Sequence, residues 1–132
     1  MSLSGEDKDI LIRLHLEKAH QYMADSNQLL AADSISSAAN RLYYSVFHAI
    51  HALFVANGIT TKSHHGTNSK FHQNFVKTGL LDSRFGQFVG VLEGLREKAD
   101  YDVVYTISRA DLEAMQPIAR ELIEQIETLL KN

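Results

Sequence analysis

The chain has 132 residues, of which 45% are hydrophobic, with one proline, no cysteine and a net charge of −3. That length suits one compact domain over residues 1–132, and the missing cysteines exclude disulfides and thiolate zinc sites. No apolar run is long enough to span a bilayer, and the N-terminal segment lacks the basic and apolar regions of a secretion signal. We therefore expect a soluble cytoplasmic protein with no membrane partner.

Five segments carry apolar residues at helical spacing, and each begins at a residue that can cap a helix. The first has the capping-box spacing of Ser4 and Asp7, and the fifth repeats it at Ser108 and Asp111. No segment alternates apolar and polar residues with the period of a strand. The sequence therefore predicts an all-α fold, an antiparallel bundle of about five helices. The predicted helices cover about 5–31, from Asp33 or Ser34 to Gly58, from Thr67 to Gly79, from Asp82 to about Asp100, and from Ser108 to about Leu130.

The middle of the chain is the basic part of an acidic sequence. Residues 33–79 contain one acid and four bases, whereas residues 1–32 carry a net charge of −2 and residues 80–132 a net charge of −4. The middle segment also holds five of the seven histidines, and histidine can gain a positive charge near neutral pH. If the chain binds an anion, we expect it to bind here; the alternative is an uneven surface without a partner.

The second predicted helix has two chemically different faces when its residues are placed at steps of 100°. One face is apolar and predicts the core contact. The other presents one guanidinium, one amide, two imidazoles and two aromatic rings, with no acid among them. The apolar face consists of Ile35, Ala38, Ala39, Leu42, Val46, Ala49, Ile50 and Leu53, and the polar and aromatic face of Ser37, Asn40, Arg41, Tyr44, Phe47, His48 and His51.

Arg41 and His48 are the candidate catalytic pair on the polar and aromatic face. They are two turns apart, about 10 Å along the helix axis, so one phosphate-sized anion could contact both, within one chain or across a two-fold axis. Guanidinium binds phosphate oxygens through a planar fork, and imidazole exchanges a proton near neutral pH. His48 could deprotonate a ribose 2′-hydroxyl while Arg41 stabilises the phosphorane and Tyr44 donates a hydrogen bond or stacks on a base. The alternative is a dimer contact without catalysis.

A polar loop is predicted over residues 59–66 and carries Lys62, His64 and His65. These side chains could contact an anion or nucleotide at the edge of the polar and aromatic face; the alternative is loop histidines hydrogen-bonded to the backbone. His48 and His51 are the sole candidates for a metal-binding pair on one helix face. Because no acid supports them, we expect no metal site.

Three stretches resemble the HEPN family (higher eukaryotes and prokaryotes nucleotide-binding), in particular its small stand-alone prokaryotic branch. Residues 39–54, ANRLYYSVFHAIHALF, resemble the central helix, whose pattern is Arg-x-Tyr-Tyr-x-x-Phe-His. Residues 62–66, KSHHG, resemble a Lys-Thr-His-x-Gly loop, and residues 96–101, REKADY, resemble Arg-x-x-Ala-Asp-Tyr at the end of the fourth helix. The matches follow the family's order along nearly the whole chain.

The resemblance implies an up-and-down four-helix core, a homodimer and a minimal nucleotidyltransferase as the antitoxin-type partner. Active members are RNases that need no metal or cofactor and use an Arg and a His with four to six residues between them, here Arg41 and His48 with six residues between them. Members without this activity bind nucleotides or a partner protein; Leu42 leaves this alternative open, because active members often have a polar residue there. The resemblance also implies RNA or nucleotide binding in a dimer cleft. The expected binding residues are Asn40, Tyr44, His51, Lys62, His64 and His65, and the expected structural residues are Arg96, Asp100 and Tyr101.

Overall fold

The computed structural model describes residues 3–101 and 106–131 and contains helices and no strands in these ranges. The all-α prediction is therefore confirmed. None of the helices in the described ranges has the length and apolar character needed to cross a membrane. The elements are α1 (Gly5–Ala31), α2 (Ile35–Asn57), α3 (His64–Phe71), a π-helical turn that continues it (His72–Val76), α4 (Ser83–Tyr101) and α5 (Arg109–Lys131).

Three predicted helix ends have the expected local chemistry. The Ser4 hydroxyl accepts the backbone N–H of Asp7 at 3.1 Å and caps α1. The Ser108 hydroxyl accepts the N–H of Asp111 at the same distance and precedes α5. Gly58 ends α2 with φ of 67°, a left-handed conformation that glycine adopts without steric cost.

Helix α2 begins where predicted but without the predicted side-chain cap, and the predicted start of α3 is wrong. Ser34 precedes α2 but makes no side-chain capping bond, and Asp33 instead pairs with the Arg109 guanidinium at 2.8 Å. Helix α3 begins at His64 rather than after Thr67, because the Ser63 hydroxyl accepts the N–H of Gly66 and caps the helix one turn earlier. His64 and His65 therefore lie in a helical turn and not in the predicted loop.

Helix α2 lies at the centre of the bundle and contacts α1, α4 and α5. Its predicted apolar face is buried, with Ile35 partly exposed at the start of the helix. The buried side chains of the other elements pack against this face. The largest fully buried side chains of the bundle, those of α2 included, are Phe54, Phe71, Phe85, Leu42, Ile50, Leu92, Leu112, Leu122 and Ile126.

Small residues let α1 and α2 approach each other closely along an antiparallel seam. The Ser45 hydroxyl on α2 donates to the carbonyl oxygen of Ala19 on α1 at 2.6 Å. The Ser26 hydroxyl on α1 donates to the carbonyl oxygen of Ala38 on α2 at 2.7 Å, and all four residues have no exposed surface. Because each buried hydroxyl has a partner, the seam packs tightly without an unpaired donor.

We expect Ser45→Leu to lower the free energy of unfolding by at least about 1–3 kcal/mol, because the larger side chain overpacks the seam. Ser45→Ala removes one hydrogen bond without adding volume and should cost about 0.5–1.5 kcal/mol. Urea unfolding followed by circular dichroism measures both values. Ser37→Leu, at an exposed position of the same helix, is the matched control; equal stability of Ser45→Leu and this control would contradict close packing.

Candidate functional site

Arg41 lies on the exposed side of α2, and its guanidinium packs over an aromatic ring of α1. Its Cζ atom is 5.2 Å from the ring centroid of Tyr22, and Nζ of Lys18 is 5.7 Å from the same centroid. Within the described ranges, no carboxylate forms an ion pair with Arg41 or Lys18. Two cations therefore flank one tyrosine, and the guanidinium is accessible to an anion from solvent.

His48 and Arg41 both contact Tyr22 on α1, and His48 also contacts a histidine of that helix. The His48 and Tyr22 ring centroids are 5.5 Å apart, so one tyrosine contacts both members of the predicted catalytic pair. Nδ1 of His48 lies 3.0 Å from Nδ1 of His15, at hydrogen-bond distance. One of these nitrogens must carry the proton and the other must accept it.

The imidazoles of this cluster are weak bases in the folded chain. Burial lowers the pKa of His48 to about 4, helped by the nearby positive charges of His15, His51 and Lys18 when these are protonated. Burial likewise lowers the pKa of His51 to about 4 and lowers the pKa of His15. These rings are therefore neutral near pH 7, and each has a lone pair that can accept a hydrogen bond or a proton.

His51 holds α3 against α2. The Thr67 hydroxyl donates its one proton to the carbonyl oxygen of Ser63 at 3.0 Å, so it can only accept from Nε2 of His51 at 3.4 Å and from the Thr61 hydroxyl at 2.8 Å. The Nε2–H of His51 is thereby used inside the protein. Its ring also packs against Phe47, with centroids 4.2 Å apart.

His64 reaches the same face of α2 from the first turn of α3. Its Nδ1 lies 2.5 Å from the Tyr43 hydroxyl, and burial raises the pKa of Tyr43, so the phenol keeps its proton. When the phenol donates to Nδ1, the neutral His64 carries its proton on Nε2 and offers it as a donor. The ring also contacts Phe47 and Tyr44, at centroid distances of 5.2 and 6.2 Å.

A pocket of about 230 Å³ opens beside His64 at the end of this face. Lys62 lines it together with the rings of Phe47 and His51, and three hydroxyl side chains complete the lining. The structure thus brings Lys62, His51 and His64 together around one pocket. His65 is exposed in the first turn of α3, and Asn40 is half-buried on α2.

Arg96 and Asp100 form an ion pair at 3.0 Å, but the guanidinium is inside the protein and not on a helix surface. Arg96 is only 7% exposed and lies over the Tyr43 ring at 5.2 Å, and its buried Nε has no hydrogen-bond partner among residues 3–101 and 106–131. Glu93 is also buried and accepts a hydrogen bond from Asn68 on α3. This network supports the tyrosine that holds His64. Tyr101, the third predicted structural residue, is 82% exposed.

Helix α1 also contributes side chains to the candidate site, and none of them was among the residues predicted from the sequence. His15, Lys18 and Tyr22 recur at intervals of three and four residues, which places them on one side of a helix. That spacing could have indicated a shared face of α1. It could not indicate that this face packs against the polar and aromatic face of α2. Within the described ranges, no group of three or more His, Asp or Glu side chains is close enough together to bind a metal ion.

The HEPN domain family model matches residues 12–129 of this chain. The chain belongs to the HEPN family. A UPF0332 protein of Thermotoga maritima is 27% identical over 126 residues, which cover 96% of each chain. A Methanocaldococcus jannaschii protein named "Putative toxin MJ0142" is 31% identical over 98 residues, covering 74% of this chain and 67% of its own. UPF0332 protein PH1297 of Pyrococcus horikoshii is 25% identical over 121 residues, which cover 91% of this chain and 74% of its own.

We expect the HEPN chain to lose stability as the pH falls from about 6.5 towards 4. The pKa of His48 and His51 is about 4 in the folded chain and about 6.5 when unfolded, so in this window the unfolded chain binds more protons. With the partial solvent exposure of both rings taken into account, the free energy of unfolding should fall by about 1–3 kcal/mol between pH 7 and pH 5. Urea unfolding at each pH measures this difference.

The double variant His48→Asn with His51→Asn should lose most of this pH dependence. The matched control is His20→Asn, an exposed histidine on α1 whose Nε2 contacts Glu127. If the double variant and this control show the same slope of stability against pH, burial of the two imidazoles is not its cause.

Proposed function

We propose that this HEPN protein is a metal-independent ribonuclease and the toxin component of a two-component system. The observation that carries the proposal is that Arg41 and His48 both contact the ring of Tyr22. It combines a guanidinium without a carboxylate partner in the described ranges with an imidazole that stays neutral at pH 7. A phosphodiester placed there would meet a permanent cation and a proton acceptor.

In the proposed reaction, a ribose 2′-oxygen attacks the adjacent phosphorus while His48 accepts the hydroxyl proton. The new bond joins the 2′-oxygen to phosphorus, and the bond from phosphorus to the 5′-oxygen breaks. Arg41 stabilises the negative charge that builds on the phosphorane oxygens. The leaving 5′-oxygen takes up a proton from water and His48 releases its proton to solvent, so the products are a 2′,3′-cyclic phosphate and a 5′-hydroxyl.

The surrounding face supplies groups that suit RNA or a nucleotide. Tyr44 presents an aromatic ring, Lys62 adds a cation, and His64 offers a neutral N–H donor from its Nε2. Half-buried Asn40 on α2 and exposed His65 on α3 are the further proposed binding residues, and His51 lines the pocket beside Lys62. The site would be completed in a homodimer, in a cleft formed with a second copy of this chain.

The partner in this proposal is a minimal nucleotidyltransferase that acts as the antitoxin. Family membership and the name of the Methanocaldococcus relative support a toxin role. Copurification of the two proteins from cells that express both would test the pairing.

One observation favours a second function, a non-catalytic module that binds a nucleotide or the nucleotidyltransferase. Leu42 follows Arg41 at a position where active HEPN members often have a polar residue, and it has no exposed surface. It packs in the core, so it cannot contribute a polar group to the site.

We expect the purified protein to cleave single-stranded RNA in the presence of EDTA and to leave 2′,3′-cyclic phosphate ends. Arg41→Ala and His48→Ala should each lower the rate by about 10²–10⁴-fold, because each removes stabilisation of the transition state. Gel analysis of an end-labelled oligonucleotide measures the rate, and a 2′-deoxy substitution at the cleavage site should prevent the reaction.

His20→Ala and Arg120→Ala are matched controls, because both side chains are exposed and lie outside the site. Sedimentation analysis shows whether each variant keeps the oligomeric state of the wild type. Cleavage that survives in both Arg41→Ala and His48→Ala contradicts the ribonuclease proposal. Absence of cleavage by the wild type, together with nucleotide or partner binding that depends on these residues, supports the non-catalytic module.

A further inference from the structure

The contact between His15 and His48 restricts how protons are distributed in the site. Each neutral imidazole carries one N–H, on either Nδ1 or Nε2. Because the two Nδ1 atoms are 3.0 Å apart, one ring must be protonated on Nδ1 and the other on Nε2. The pair therefore contains one imidazole of each tautomer.

Both rings are neutral near pH 7, which this arrangement requires. Burial lowers the pKa of each, so neither is held as a cation that would donate from both nitrogens. The neighbouring His51 directs its Nε2 to the Thr67 hydroxyl at 3.4 Å, and within the described ranges no hydrogen bond joins it to His48. Within the described ranges, His15 makes the one side-chain hydrogen bond of His48.

We propose that His15 is a positioning residue that accepts the Nδ1–H of His48 and so leaves the lone pair on Nε2 of His48 as the proton acceptor. The inference rests on the proposed function, since proton abstraction from a ribose hydroxyl requires an unprotonated nitrogen that faces the substrate. The opposite arrangement, with His15 as the donor, would leave a proton on Nε2 of His48 and no base there.

The packing of α1 against α2 places His15 where it can accept a hydrogen bond from His48. Ala19 lies one turn after His15 on α1, and the Ser45 hydroxyl fixes it against α2 at 2.6 Å. Tyr22 lies one turn further and also contacts the His48 ring, with centroids 5.5 Å apart. The imidazole of His15 thus lies along the interface that joins the two helices, and its acceptor nitrogen, Nδ1, is in place before RNA binds.

Nitrogen NMR of the histidine side chains in the full-length protein at pH 7 tests the assignment without any substrate. We expect the wild type to show His48 protonated on Nδ1 and unprotonated on Nε2. In His15→Leu, His48 should change to the Nε2–H form, which free imidazole prefers. In His15→Asn, the Nδ1–H form should persist, because the amide oxygen can accept at a similar reach.

The kinetic test uses the same variants with the RNA oligonucleotide. His15→Leu should lower kcat by about 10–100-fold with KM within about twofold, because the lost interaction acts on the base and not on substrate binding. His15→Asn should recover most of kcat. His20→Leu makes the same chemical change at an exposed position of α1 and should leave both constants unchanged.

An Nε2–H tautomer of His48 in the wild type would overturn the proposal, as would unchanged kcat in His15→Leu. If His15→Leu does not fold, the wild-type spectrum and His15→Asn still decide the assignment. Absence of RNA cleavage together with the expected tautomers would reject the ribonuclease function and leave the pairing of His15 with His48 in place.

Discussion

The antiparallel packing of α1 against α2 is the constraint on which the candidate site depends. Small residues let the two backbones approach, and two serine hydroxyls bond to carbonyl oxygens of the opposite helix, so close packing leaves neither of these buried hydroxyls unpaired. Residues of the candidate site also form pairs along this interface of α1 and α2, one pair between the two serine contacts and one pair past Ser45. Along it, the pairs are Ser26 with Ala38, Tyr22 with Arg41, Ala19 with Ser45, and His15 with His48.

Burial divides the basic residues of this face into two kinds. Arg41 reaches solvent and keeps its charge, whereas His48 and His51 lose hydration that a charged imidazole would need, and the pKa of each falls to about 4. Arg41 can therefore attract an anion, whereas the neutral histidines can accept a proton. Composition alone groups all these residues as a basic middle segment, and only their packing separates the two roles.

Sequence patterns were most informative where the interaction is local. The caps at Ser4 and Ser108 and the left-handed Gly58 were predictable because each involves residues within four positions of one another. The predicted start of α3 was wrong because residues 59–66 form a polar stretch that was predicted as a loop, whereas the N–H of Gly66 is the group that the Ser63 hydroxyl caps. A cap one turn earlier moves the histidines of that segment onto a helix.

The sequence by itself determined the helical fold, the family and the face of α2 that carries Arg41 and His48, because helical periodicity fixes which residues share a face. It could not identify His15 and Tyr22 as their neighbours, since those contacts cross between helices. The tautomers of the histidines likewise depend on partners distant in the chain, and burial sets their charge. Tertiary structure alone decided these properties, because a side chain's protonation depends on what surrounds it after folding.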